Sequence, residues 1–73
     1  MVDLRKRFGR LVAAYRKRRG LTQAALSEAC QLSHDMIARI EGGKAGASFE
    51  SIERIALALD VDPAELFISA GAR

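Results

Sequence analysis

Apolar residues recur along the chain at three- and four-residue steps, interrupted by glycine, proline and short polar residues. In residues 3–18, Leu4, Phe8, Leu11, Val12 and Tyr15 form one stripe, the pattern of an amphipathic helix. Gly20 follows as its C-terminal cap. Thr22 then stands at an N-cap position and predicts a second helix over residues 22–30, with Leu26, Ala29 and Cys30 on its inner face. Gln31 and Leu32 make a tight turn. Ser33 caps a third helix over residues 33–41, which buries Ile37 and Ile40 and stops at Gly42 and Gly43. Ser48 opens a fourth over residues 48–59, with Ile52, Ile55, Ala56 and Leu59 on one face. Asp62, Pro63 and Glu65 supply an N-cap, a proline at the first helical position and a glutamate three residues after the cap. They predict a brief fifth helix over residues 63–68. No stretch alternates with period two, and no internal repeat is visible, so the expected fold is all-α, a compact bundle of five helices.

Size narrows the function. The 73 residues make one domain at most. A chain this short buries only ~60% of its unfolded surface, so the core is small. There is little room for a pocket, no convincing Ser-His-Asp set and no phosphate-cradling glycine loop, which argues against an enzyme or a bound cofactor. The single His argues against a metal site, and the single Cys cannot close an internal disulfide. Cys30, among apolar neighbours, reads as an inert buried thiol. No apolar run approaches the ~18 residues that span a bilayer, and no export signal is visible, so the expectation is a cytoplasmic protein with no membrane partner.

Charge is unevenly spread. Residues 1–20 hold eight basic side chains against Asp3, a net +7, and the remainder carries −4 within the overall +3. A basic segment on a mildly acidic body suits a polyanionic partner, although a solvated helix face would carry the same charges.

The pair of helices at residues 22–30 and 33–41 is the most informative feature. So short a link forces a steep crossing and leaves the second helix free to project. A helix of that size fits the DNA major groove, roughly 12 Å wide.

The run LTQAALSEACQLSHDMIARIEGGK, with YRKRRG before it and SIERIALALDVDPAEL soon after, resembles the Cro and phage-repressor type of helix-turn-helix domain, the XRE family. The resemblance spans about residues 8–67 and implies five helices. It implies small stand-alone regulators such as restriction–modification controllers, and double-stranded DNA as the partner. Gln31 departs from the usual turn glycine, Ser27 is the small residue at the helix crossing, and Leu57 occupies a position usually polar.

By this resemblance the reading head is Ser33, His34, Asp35, Met36, Ala38 and Arg39. The residues support that reading, since positions 34, 35, 38 and 39 face away from Ile37 and Ile40. Arg39 can donate two bonds to guanine, unless it pairs with Asp35 on its own helix. His34 can donate to guanine or phosphate. Asp35 can accept from a cytosine amine, or simply favour the helix N-terminus. Met36 or Ala38 can touch a thymine methyl. Phosphates are expected at Thr22, Gln23, Gly42, Lys44 and Arg10, with the matching family glutamine bracing the DNA backbone. Arg16 and Glu41 match a structural ion pair found in several members.

One such module makes few base contacts, and specific sites are usually read by dimers on half-sites one helical turn apart. A homodimer is therefore expected, through Leu57, Leu66, Phe67 and Ile68. Leu57 lies about 140° around its helix from Ile52, at about 100° per residue. The function expected is a sequence-specific DNA-binding transcriptional regulator. The other reading is an adaptor or antitoxin-type module that uses the same bundle on an unknown protein partner.

Overall fold

The computed structural model describes residues 3–68. It contains α1 (Leu4–Arg18), α2 (Gln23–Cys30), α3 (His34–Glu41), α4 (Phe49–Leu59) and a closing 3₁₀ helix at Pro63–Phe67. Among the described residues there are no strands. None of these helices is long and apolar enough to cross a membrane.

Each helix starts where a short polar side chain can take up an orphan amide. Asp3, Thr22, Ser33 and Ser48 accept from Lys6, Ala25, Met36 and Ser51 at 3.0–3.3 Å. The α-helices end by a shared device. Gly20, Gln31, Gly43 and Asp60 adopt the left-handed conformation. The residue after each one donates back over the last turn: Leu21 to Arg16, Leu32 to Ser27, Lys44 to Arg39 and Val61 to Ala56.

The fifth expected helix is a 3₁₀ helix of five residues. Pro63 starts it, and Asp62 and Glu65 cap each other's backbone. Its tight turn is closed by the Glu65 amide on the Asp62 carbonyl, at 2.9 Å. Successive side chains point about 120° apart on such a turn. Leu66 and Phe67 therefore meet different environments, and Ile68 leaves the turn in extended backbone. Leu66 is fully buried, Phe67 stacks on Phe8 with ring centroids 5.1 Å apart, and Ile68 faces solvent. Leu66 is thus a core residue and not part of a dimer surface.

The core gathers Phe8 and Val12 of α1, Leu26 and Cys30 of α2, Ile37 and Ile40 of α3, Ile55, Ala56 and Leu59 of α4, and Leu66. Burial pushes the Cys30 thiol above its ordinary pKa, which favours the inert form. Two sequence expectations shift at the edges. Ala29 is exposed and Ser27 buried in its place, with the Ser27 hydroxyl donating to the Ala24 carbonyl at 2.7 Å. Leu4 is 56% exposed, because the first turn of α1 runs past the edge of the core.

Candidate nucleic-acid interface

The geometry of α2 and α3 begins at Gln31. Its φ of 61° and ψ of 37° reverse the chain in one residue, so Leu32 and Ser33 lead directly into α3. Ile37 and Ile40 anchor α3 on α1 and α2, and this fixes which face projects. Ser33, His34, Asp35, Ala38 and Arg39 are exposed. Met36 is half-buried and packs against the core, which leaves less of it for a ligand.

Arg39 has no ion-pair or hydrogen-bond partner among the described residues. The pair with Asp35 is not formed, while Arg54 and Glu50 on α4 do form a pair at the same helical spacing. The Arg39 guanidinium is therefore left with all its donors in solvent.

Behind the projecting face lies a part-buried polar network. Arg16 reaches from α1 and donates through Nε to Glu41 Oε2 at 2.7 Å and through Nη2 to Glu41 Oε1 at 3.0 Å. Its Nη1 donates to the Leu21 carbonyl at 2.8 Å. The two side chains are only 11% and 6% exposed. Gln23, the first residue of α2, donates through Nε2 to the same Glu41 Oε1 at 3.0 Å. Gln23 Oε1 lies 3.3 Å from His34 Nε2. The network thus links the start of α2 to both ends of α3. A charged pair this dry is tolerable because its hydrogen-bonding groups are partnered.

Basic residues border the other end of α3. Lys6, Arg10, Ala13, Glu41 and Gly42 line one shallow hollow, and Lys44 lies exposed in the following loop. Lys6 was not foreseen from the sequence. The signal was its spacing, one helical turn before Arg10 on the same face of α1. The rest of the basic segment is not gathered here. Arg19 donates to the Leu59 carbonyl at 2.9 Å and pairs with Asp60 at 2.8 Å, and Arg18 lies over the Tyr15 ring. Thr22 is exposed, with its hydroxyl engaged as the α2 cap.

Away from α3, Leu57 is 83% exposed on α4. Phe49, at the start of α4, is 87% exposed and was also not foreseen. It borders shallow apolar hollows shared with Ile52 and Phe67.

The model of the helix-turn-helix domain family matches residues 7–66, most of the chain. The chain belongs to that family. Solved structures agree. The restriction–modification controller protein C.AhdI from Aeromonas hydrophila is 32% identical, with a TM-score of 0.84 over 86% of this chain and 96% of its own. A hypothetical transcription factor from Neisseria is 25% identical, with a TM-score of 0.89 over 93% of this chain and 76% of its own. The clp gene regulator ClgR from Corynebacterium glutamicum is 27% identical, with a TM-score of 0.84 over 86% of this chain and 67% of its own. No curated protein sequence matches. The family and fold of this helix-turn-helix chain are those of DNA-binding regulators, not of enzymes.

Proposed function

We propose that the chain is a sequence-specific transcriptional regulator that places α3 in the major groove of a pseudo-palindromic operator. The observation that carries this reading is the free guanidinium of Arg39 on the projecting face of α3. A buried anchor on one side and unpaired donors on the other suit readout of a guanine edge. Ser33, His34, Asp35 and Ala38 share that face and contribute the remaining base contacts, with Met36 in a lesser part. The start of α2 at Thr22 and Gln23 holds a phosphate on one flank. Gly42, Lys44 and Arg10 hold phosphates on the other, with Lys6 beside them.

A homodimer completes the reading. Leu57, Ile68 and the exposed edge of Phe67 form the proposed surface, which Phe49 extends. A two-fold pair would place two α3 helices on half-sites one turn apart. The same exposed apolar residues favour the second reading, an adaptor or antitoxin-type module with a protein partner.

Selection from a random duplex library at near-physiological salt separates the two. Enrichment of a pseudo-palindrome with half-sites about ten base pairs apart supports the dimeric regulator. Weak, salt-sensitive binding without enrichment supports the adaptor. Sedimentation equilibrium of the free protein tests the dimer directly, and a monomer at concentrations that saturate the operator would sink that part.

A further inference from the structure

The network behind α3 decides how the single histidine of the chain carries its proton. Glu41 is gripped by two donors of Arg16. A carboxylate held by a guanidinium only accepts hydrogen bonds. The Gln23 amide, 3.0 Å away, must therefore turn its NH2 group toward Glu41. The reversed amide would set two oxygens against each other. Its carbonyl oxygen is thereby presented on the other side, toward His34 Nε2 at 3.3 Å. That oxygen also only accepts, so Nε2 must be the protonated nitrogen. In a neutral imidazole the other nitrogen, Nδ1, is then an acceptor. Among the described residues Nδ1 has no partner, and His34 is exposed at the start of the projecting helix.

We infer that Arg16 and Glu41 act through Gln23 to hold neutral His34 as the Nε2–H tautomer, so that His34 selects an amine-bearing base edge, adenine N6 or cytosine N4. The inference rests on α3 being the reading helix, as proposed above. Guanine offers only acceptors, N7 and O6, along its major-groove edge. Nδ1 as an acceptor would meet them lone pair to lone pair. The donor role toward guanine expected from sequence belongs to the cationic ring. Arg16, Glu41 and Gln23 are positioning residues in this scheme, and the base is read by His34.

Two measurements test the inference. Long-range proton–nitrogen NMR of the isotope-labelled full chain, without DNA, reads one imidazole and is recorded at a pH where its ring nitrogens show the neutral form. Wild type should show Nε2 protonated and Nδ1 bare. Gln23→Met removes both ends of the amide bridge and keeps the Arg16–Glu41 pair, so the fold is retained. It should let the second tautomer appear. An Nδ1–H ring in wild type, or the same tautomer mixture in both proteins, overturns the inference.

Duplex selection at the same pH with wild type, Gln23→Met and His34→Ala reads the consequence. The base pair whose preference vanishes in His34→Ala is the one His34 contacts. There, replacing the amine of the adenine or cytosine by hydrogen in the enriched duplex should weaken wild type about fivefold, the scale of one hydrogen bond, and leave His34→Ala unmoved. Gln23→Met should be insensitive to the missing amine, while loss of its phosphate contact weakens every duplex alike. Equal binding of wild type with and without that amine overturns the base assignment and leaves DNA reading by α3 intact. No enriched duplex with wild type overturns the role of α3 itself, and the base assignment with it. The tautomer measured in the free protein then still reports on the network.

Discussion

The carbonyl oxygen of Ile40 in α3 occupies the space where a side chain on Gly9 of α1 would begin. The Glu41 carbonyl oxygen is the next neighbour, at 3.0 Å from an added Cβ. The two helices cross at a residue that has no side chain. Two effects of opposite sign follow for Gly9→Ala. Alanine favours a helix interior by about 1 kcal/mol over glycine. Overpacking costs about 1–3 kcal/mol, and here the obstructing atoms are backbone and cannot rotate aside. With the cost at the upper end of its range, about 3 against about 1, the expected net result is destabilisation by about 2 kcal/mol, read as a lower urea midpoint. A variant as stable as wild type would mean that α1 and α3 slide apart at little cost.

The Arg16–Glu41 pair is dry enough for its removal to be costly. Glu41→Ala leaves the guanidinium with one carbonyl partner and the Gln23 amide with no carboxylate. The expected loss is about 3–5 kcal/mol, by thermal or urea unfolding. The double variant Arg16→Met with Glu41→Leu should recover most of it, because apolar replacements of similar volume carry no desolvation cost. A single-variant loss below about 1 kcal/mol would place the pair with surface ion pairs.

Gln31 bears a backbone conformation that costs most residues about 1–2 kcal/mol. Gln31→Gly removes that cost but gives the unfolded chain more freedom, worth about 0.5–1 kcal/mol. The expected net gain is about 0.5–1 kcal/mol, seen as a higher melting temperature. Asp60→Gly is the comparison. Asp60 is also left-handed, but its carboxylate pairs with Arg19 and aspartate tolerates that region better. Its gain should be smaller. Equal gains at both sites would remove the link between tolerance and side chain.

Much of the α-helical frame was legible because its signals are local. Thr22, Ser33 and Ser48 are caps that act within three residues, and the stripes through Ile37, Ile40, Ile55 and Leu59 place the inner faces. The misses share a different cause. Gly9 is explained only by Ile40, on another helix, though an isolated glycine inside an apolar stripe was a visible hint. Leu66 is buried because a 3₁₀ turn aims it between α1 and α4, and an α-helical reading aims it elsewhere. The exposure of Phe49 depends on where the loop before α4 delivers the chain. In the candidate site, positions 34, 35, 38 and 39 of α3 could be assigned to the outer face from spacing alone, whereas Met36, expected at the reading head, is half-buried against the core. The orientation of the Gln23 amide could not be read from spacing, since it is imposed by Glu41 and Arg16 from two other helices.

Arg39 and Lys44 lie close in sequence and should fail differently. Arg39 projects from α3 with no partner among the described residues, so the proposed complex sets its donors against a base edge; Lys44 follows the helix stop, where the same proposal sets a phosphate. Arg39→Ala should lose about 1–3 kcal/mol of discrimination at one base pair of the operator, with non-specific binding weakened less. Lys44→Ala should weaken operator and random duplex alike, and lower the slope of log affinity against log salt by about one. Fluorescence anisotropy with both duplexes over a salt series separates the two patterns. Equal losses on both duplexes for Arg39→Ala would make it a phosphate contact, and base readout would then fall to His34 and Asp35 alone among the charged and titratable residues of α3 that face outward.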